Sequence, residues 1–158
     1  MFLNHYTAFV EKYMQGRPAT LIGEYGETIS FSGLDWQAAE SPLPMIIHQT
    51  REIVFGSDNT PETGESYKLK KAINAGLNTA LTRSVQANDD GSHSSVVIAN
   101  CTNISSEPIT IGEVGLRKGF LVAYSSTKYV LLDRTPLPTP LTIQPGEVGR
   151  IVYTITMA

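Results

Sequence analysis

From residue 94 onward the chain has few ways to fold. Six short runs, 94–103, 109–117, 120–124, 129–133, 141–143 and 149–157, carry β-branched or aromatic residues and are separated by Gly, Pro, Ser or Asn. Short strands at near-regular spacing predict an all-β fold, an antiparallel β-sandwich or a small jelly-roll-like barrel. In the last run Ile151, Tyr153, Ile155 and Met157 alternate with Val152, Thr154 and Thr156. That period of two gives a strand with one face in a core and a Thr-rich face that is wet or meets another sheet. Composition agrees: 16 Thr, 13 Gly and 9 Pro stand beside only 17% charged residues, the balance of a turn-rich β protein.

The first half is less regular. Phe2, Tyr6, Phe9, Val10 and Tyr13 fall on one stripe of a helix ending near Gly16 and Pro18. This amphipathic helix, residues 1–18, either packs on its own domain or acts as an arm whose aromatics dock on a neighbouring subunit. Residues 20–25 and 27–32 read as a hairpin about Gly26, with Ile29 and Phe31 on one face. Leu34 to Glu40 reads as a helical turn containing Trp36, residues 41–44 as an extended break, and 45–55 as a strand. Residues 56–67 lack aliphatic side chains and predict a surface loop. Residues 68–78 read as helical or irregular, and 79–87 as a strand closed by a tight turn at Asn88-Asp-Asp-Gly91. Thr135 to Pro140 predicts a rigid crossing loop between strands. A chain of 158 residues without an internal repeat or a compositional break suggests one β domain over 19–158.

Several chemistries find no support in the residues. With 12 basic and 15 acidic residues the chain lacks a nucleic-acid footprint. No run approaches the roughly 18 apolar residues needed to cross a bilayer, and the N-terminal residues do not read as a secretory signal, so synthesis in a cytoplasm is expected. His5, His48 and His93 are far apart and lack partners at metal-ligand spacing, so neither a metal nor a cofactor is expected. Asp89-Asp-Gly91 lacks the oxygen ladder of a calcium loop, and Gly112-Glu-Val-Gly115 lacks the strand-to-helix switch of a phosphate cradle. Cys101, the single cysteine, lies in an apolar run and reads as a small buried hydrophobe. The sequons at Asn100 and Asn103 read as incidental, and no catalytic set stands out.

Two stretches resemble small virion proteins of tailed bacteriophages. One is Phe55-Gly-Ser-Asp-Asn-Thr-Pro61 leading to Tyr67-Lys-Leu69. The other is the ordered series Ile109-Thr-Ile-Gly-Glu-Val-Gly-Leu116, Leu131-Leu-Asp-Arg134, Pro140-Leu-Thr-Ile-Gln-Pro-Gly-Glu147 and Ile151-Val-Tyr-Thr-Ile155. The phrases keep their order across about residues 53 to 157, outside the helix and first hairpin. The resemblance implies a phage structural component and carries no catalytic motif.

On that resemblance the expected function is that of a non-enzymatic virion protein, a capsid decoration or cement subunit. Its partners would be the major capsid protein or other virion proteins and further copies of itself, with neither nucleic acid nor membrane. Phe2, Tyr6, Phe9 and Tyr13 are the expected partner-binding anchors. A tail, neck or baseplate accessory with a host-facing loop is the alternative within the same particle. A carbohydrate-binding β-sandwich module, with Trp36 as its lone indole, is the competitor from another class. Glu113 and Arg134 read either as a charge-assisted pair anchoring a loop to the neighbouring strand or as two unrelated surface charges. Pro145-Gly146 predicts a type II turn that sets strand register.

Overall fold

The computed structural model of the chain describes residues 4–14, 19–31, 51–122 and 126–157. Among these residues helix α1 (Asn4–Met14) precedes eight strands: β1 (Ala19–Ile22), β2 (Thr28–Phe31), β3 (Arg51–Gly56), β4 (Leu77–Ala87), β5 (His93–Asn103), β6 (Ile109–Val122), β7 (Ser126–Ile143) and β8 (Val148–Met157). The mainly β, antiparallel class with an N-terminal helix is the one the alternating pattern predicts. Trp36, the break at 41–44 and the first part of the strand expected at 45–55 lie outside the described residues.

Pairing follows the side-chain period. In the β1–β2 hairpin the buried Leu21 stands opposite the buried Ile29, while Thr20, Thr28 and Ser30 are exposed. Three strands form the order β3-β6-β7 and three the order β4-β5-β8. In β5 the residues Ser95, Val97, Ala99, Cys101 and Asn103 are buried in strict alternation. The same row in β8 presents Ile151 and Ile155, across from Ala99 and Ser95.

Contacts divide the chain into two compact units, Met1–Ala72 with Ile111–Pro140, and Ile73–Thr110 with Leu141–Ala158. In the first, Leu69 and Leu131 pack with Val54. Arg117 stacks 4.4 Å from the centre of the Tyr129 ring and its Nη1 donates to Glu24 at 3.2 Å, while the Glu24 amide bonds the Tyr129 carbonyl. These contacts fasten the β1–β2 turn to strands β6 and β7.

Two expectations about strand ends are corrected. The runs at 109–117 and 120–124 are one strand, β6, because it has ladders to β3 and β7 on its two sides and pairing continues through Lys118, which faces Arg51. The runs at 129–133 and 141–143 are likewise one strand, and Thr135 to Pro140 is not a crossing loop but part of β7. Pro136, Pro138 and Pro140 recur every second residue, which puts their missing N–H groups on one side of the strand. β7 has a strand neighbour on one side only among the described residues, and an edge strand tolerates such prolines where no ladder bond is lost.

Candidate functional site

Three of the ordered phrases, those holding Asp58, Glu113 and Arg134, contribute to one charged cluster in the first unit. Arg134, in β7, has a side chain withdrawn completely from solvent, as is that of Glu113 in β6. Nε of Arg134 donates to Oε2 of Glu113 at 2.5 Å, Nη1 to Oε2 of Glu62 at 3.0 Å and to the Thr60 carbonyl at 3.1 Å, and Nη2 to Oδ1 of Asp58 at 3.1 Å. One planar guanidinium thus serves three carboxylates and a carbonyl, a task that needs the fixed fork of arginine.

Each carboxylate also fixes backbone. Oε1 of Glu113 accepts the Lys71 amide at 2.8 Å, and Oε2 accepts that of Lys70 at 3.3 Å. Oδ1 of Asp58 accepts the amide and hydroxyl of Thr60, the closed turn that Asp favours at such positions. Oε1 of Glu62 accepts the amides of Thr63 and Gly64. Lys70 Nζ donates to the Thr60 hydroxyl at 2.7 Å, and Ser57 bonds the Lys71 carbonyl to close the base of the loop. The segment 57–71 is therefore a loop that takes in nearly all of the one expected at 56–67, and it is ordered from beneath by buried charge.

The glycines beside the cluster leave it room. A Cβ on Gly56 would lie 2.2 Å from Oε1 of Glu113, and one on Gly112 would lie 2.6 Å from the Ser57 carbonyl oxygen. The glycine of Phe55-Gly56 and that of Gly112-Glu113 thus admit the same carboxylate and the same loop from two strands.

Electrostatics favour the charged forms. The Asp58 carboxyl is held below its ordinary value chiefly by the hydrogen bonds from Thr60, with Arg134 and Lys70 adding attraction. Burial pushes the Glu62 carboxyl up, but hydrogen bonds from Ser66, Arg134 and Gly64 outweigh it and the net shift is down. Burial also opposes the charge of Arg134, and its bonds to Glu113 and Glu62 prevail, so the guanidinium is held above its ordinary value. Among the described residues no group of three or more His, Cys, Asp or Glu could hold a metal ion. In this cluster the guanidinium supplies the positive charge that the carboxylates share.

The other sequence-predicted residues fall elsewhere. Pro145-Gly146 forms a turn in which the Glu147 amide bonds the Gln144 carbonyl at 3.0 Å and Gly146 has φ of +79°, the positive third position of a type II turn. Its Gly146 amide bonds the Asn103 carbonyl, tying the start of β8 to the end of β5. Phe9 is only 2% exposed, so its ring belongs to the interior of its own unit and is corrected from a surface anchor to a core residue. The helix start is tied as well: the Asn4 amide bonds the Gly64 carbonyl, and its side chain donates to Glu65. Phe2 and the side chains of Tyr6 and Tyr13 lie outside the described part.

Cys101 is fully buried, receives a weak contact from the Thr79 hydroxyl, and has its thiol pushed up by burial. The Asn103 side chain is buried and donates to the Glu107 and Ile143 carbonyls, so its amide is committed within the fold. The sequence reading missed Asp58, Thr60 and Glu62 as partners of Arg134. The available signal was the Asp58-Asn-Thr60 turn, which starts two residues after the glycine that ends β3. No protein-family model, curated protein or solved structure matches this chain.

Proposed function

We propose that this chain is a non-enzymatic structural subunit of a tailed-phage particle, a decoration or cement protein laid against its neighbours. One observation carries the reading: three of the phrases that resemble phage virion proteins, though dispersed in sequence, bring Asp58, Glu113 and Arg134 into one network whose centre, Arg134 with Glu113, is buried. Residues joined in that way describe a shared architecture more readily than a chance likeness of separate strands. The network is saturated by its own internal bonds and fixes a polar loop on a sheet, which suits a subunit that must hold a fixed surface without a disulfide. With Phe9 buried, the contact surface is to be sought on strands and loops.

Quantitative mass spectrometry of purified particles tests the reading. On the order of hundreds of copies per particle supports a shell protein, whereas a small multiple of six moves the subunit to the tail or neck. Absence from purified particles overturns the proposal.

A further inference from the structure

In the second unit one strand stands at the edge of its sheet among the described residues. β4 is an edge of the order β4-β5-β8, and every residue from Ala80 to Ala87 is exposed. Natural edge strands are ordinarily kept short, bulged, or interrupted by proline or charge. Over Leu77–Ala87 this one runs with neither proline nor glycine and with Arg83 as its single charge.

The Asn88 amide donates to the Ser92 carbonyl, and this fixes which residues of β4 bond β5. They are the even-numbered ones, so the amides and carbonyls of Leu77, Thr79, Leu81, Arg83 and Val85 point away from β5. Their side chains share the sheet face that is buried elsewhere. Leu81 continues the row Ile151–Ala99, and Val85 the row Ile155–Ser95. Along the first row exposure rises from 8% at Ile151 and 1% at Ala99 to 38% at Leu81, and Val85 reaches 64%. The apolar rows run off the edge of the sheet.

We propose that β4 pairs antiparallel with β4 of a second copy of this chain, centred on Leu81, joining two three-stranded sheets into one continuous sheet. Only registers that set odd residues opposite odd residues satisfy the outward backbone groups. Among these, centring on Leu81 places Leu81 against itself and Leu77 against Val85, and sets Arg83 opposite Thr79. The two Arg83 side chains then start about 14 Å apart along the seam, beyond the Debye length of about 8 Å at physiological salt. Moving the centre to Thr82 would halve that separation and face Arg83 with Leu81. Such a seam is isologous and closes after two copies. The inference stands apart from the virion reading, since a dimer of the isolated protein needs no particle.

Sedimentation of the full chain over a range of concentrations, combined with two single-cysteine variants, tests it. Leu81→Cys lies on the two-fold axis and should form a disulfide-linked dimer on mild oxidation. Val85→Cys, about 27 Å from its own symmetry mate, should not, and the buried Cys101 should remain unlinked in both. Both substitutions are at exposed positions, and circular dichroism matching the parent chain verifies the fold. A sedimenting monomer at every concentration overturns the proposal and leaves the edge to a strand of another protein. Equal cross-linking of the two variants overturns it also, by showing association without this register.

Discussion

Arg134 and Glu113 meet between neighbouring strands through a 2.5 Å hydrogen bond from Nε to Oε2, and neither side chain reaches solvent. A buried pair of this kind is a liability once either partner is lost, because the survivor remains charged in a medium that solvates it poorly.

Replacing Arg134 by Leu leaves Glu113 and Glu62 without their guanidinium, and should lower unfolding stability by about 3–5 kcal/mol in urea titration. Glu113→Gln keeps the shape and an acceptor for the backbone amides, and should cost less, about 1–3 kcal/mol. Because the two residues act as a unit, the double variant should lose less than the sum of the singles.

Gly56→Ala places a methyl group against the Glu113 carboxylate, and Gly112→Ala places one against the Ser57 carbonyl. Overpacking of this sort costs about 1–3 kcal/mol. Limited proteolysis should show earlier cleavage within residues 57–71 in both variants, with the β4–β5 hairpin cut no faster than in the parent chain.

Acid should release the same loop. Asp58 and Glu62 are both held below their ordinary values. Their contribution to stability is therefore complete above the ordinary carboxylate range, about 4, and is lost as pH falls through the lowered folded values. Arg134 is shifted the other way, so its contribution is present below its ordinary value and disappears only at extreme alkaline pH. The protection of the Thr60 and Gly64 amides against hydrogen exchange, corrected for the intrinsic pH dependence of exchange, should fall on acidification, and Asp58→Asn should weaken that dependence.

Cys101 should resist thiol reagents in the native protein. Its side chain is buried and its thiol is raised by burial, so the thiolate that reacts is scarce. Labelling with an aromatic disulfide reagent should proceed only as fast as the protein opens, and should reach one equivalent in denaturant.

The strands and their faces were legible because a strand writes its environment into every second residue. Ile29, Ile151 and Ile155 sit on the inner faces that alternation assigns them. Strand length was not legible in the same way. Gly119 and the Thr135–Pro140 run look like breaks, but neighbouring strands supply pairing that local propensity does not register. The aromatic stripe of α1 showed that the helix had a face to bury without saying against what, and for Phe9 the answer is its own unit.

The sequence by itself determined the β class, the alternation of faces, the turns at Asn88–Gly91 and Pro145-Gly146, and the candidacy of Glu113 and Arg134. Those properties depend on a few consecutive residues and their local sterics. Only the tertiary structure decided that Asp58 and Glu62, separated by 76 and 72 positions from Arg134, share its guanidinium, and that β4 stands at a sheet edge among the described residues. Both depend on which strands pair and in what register, and that is fixed by the packing of the whole chain.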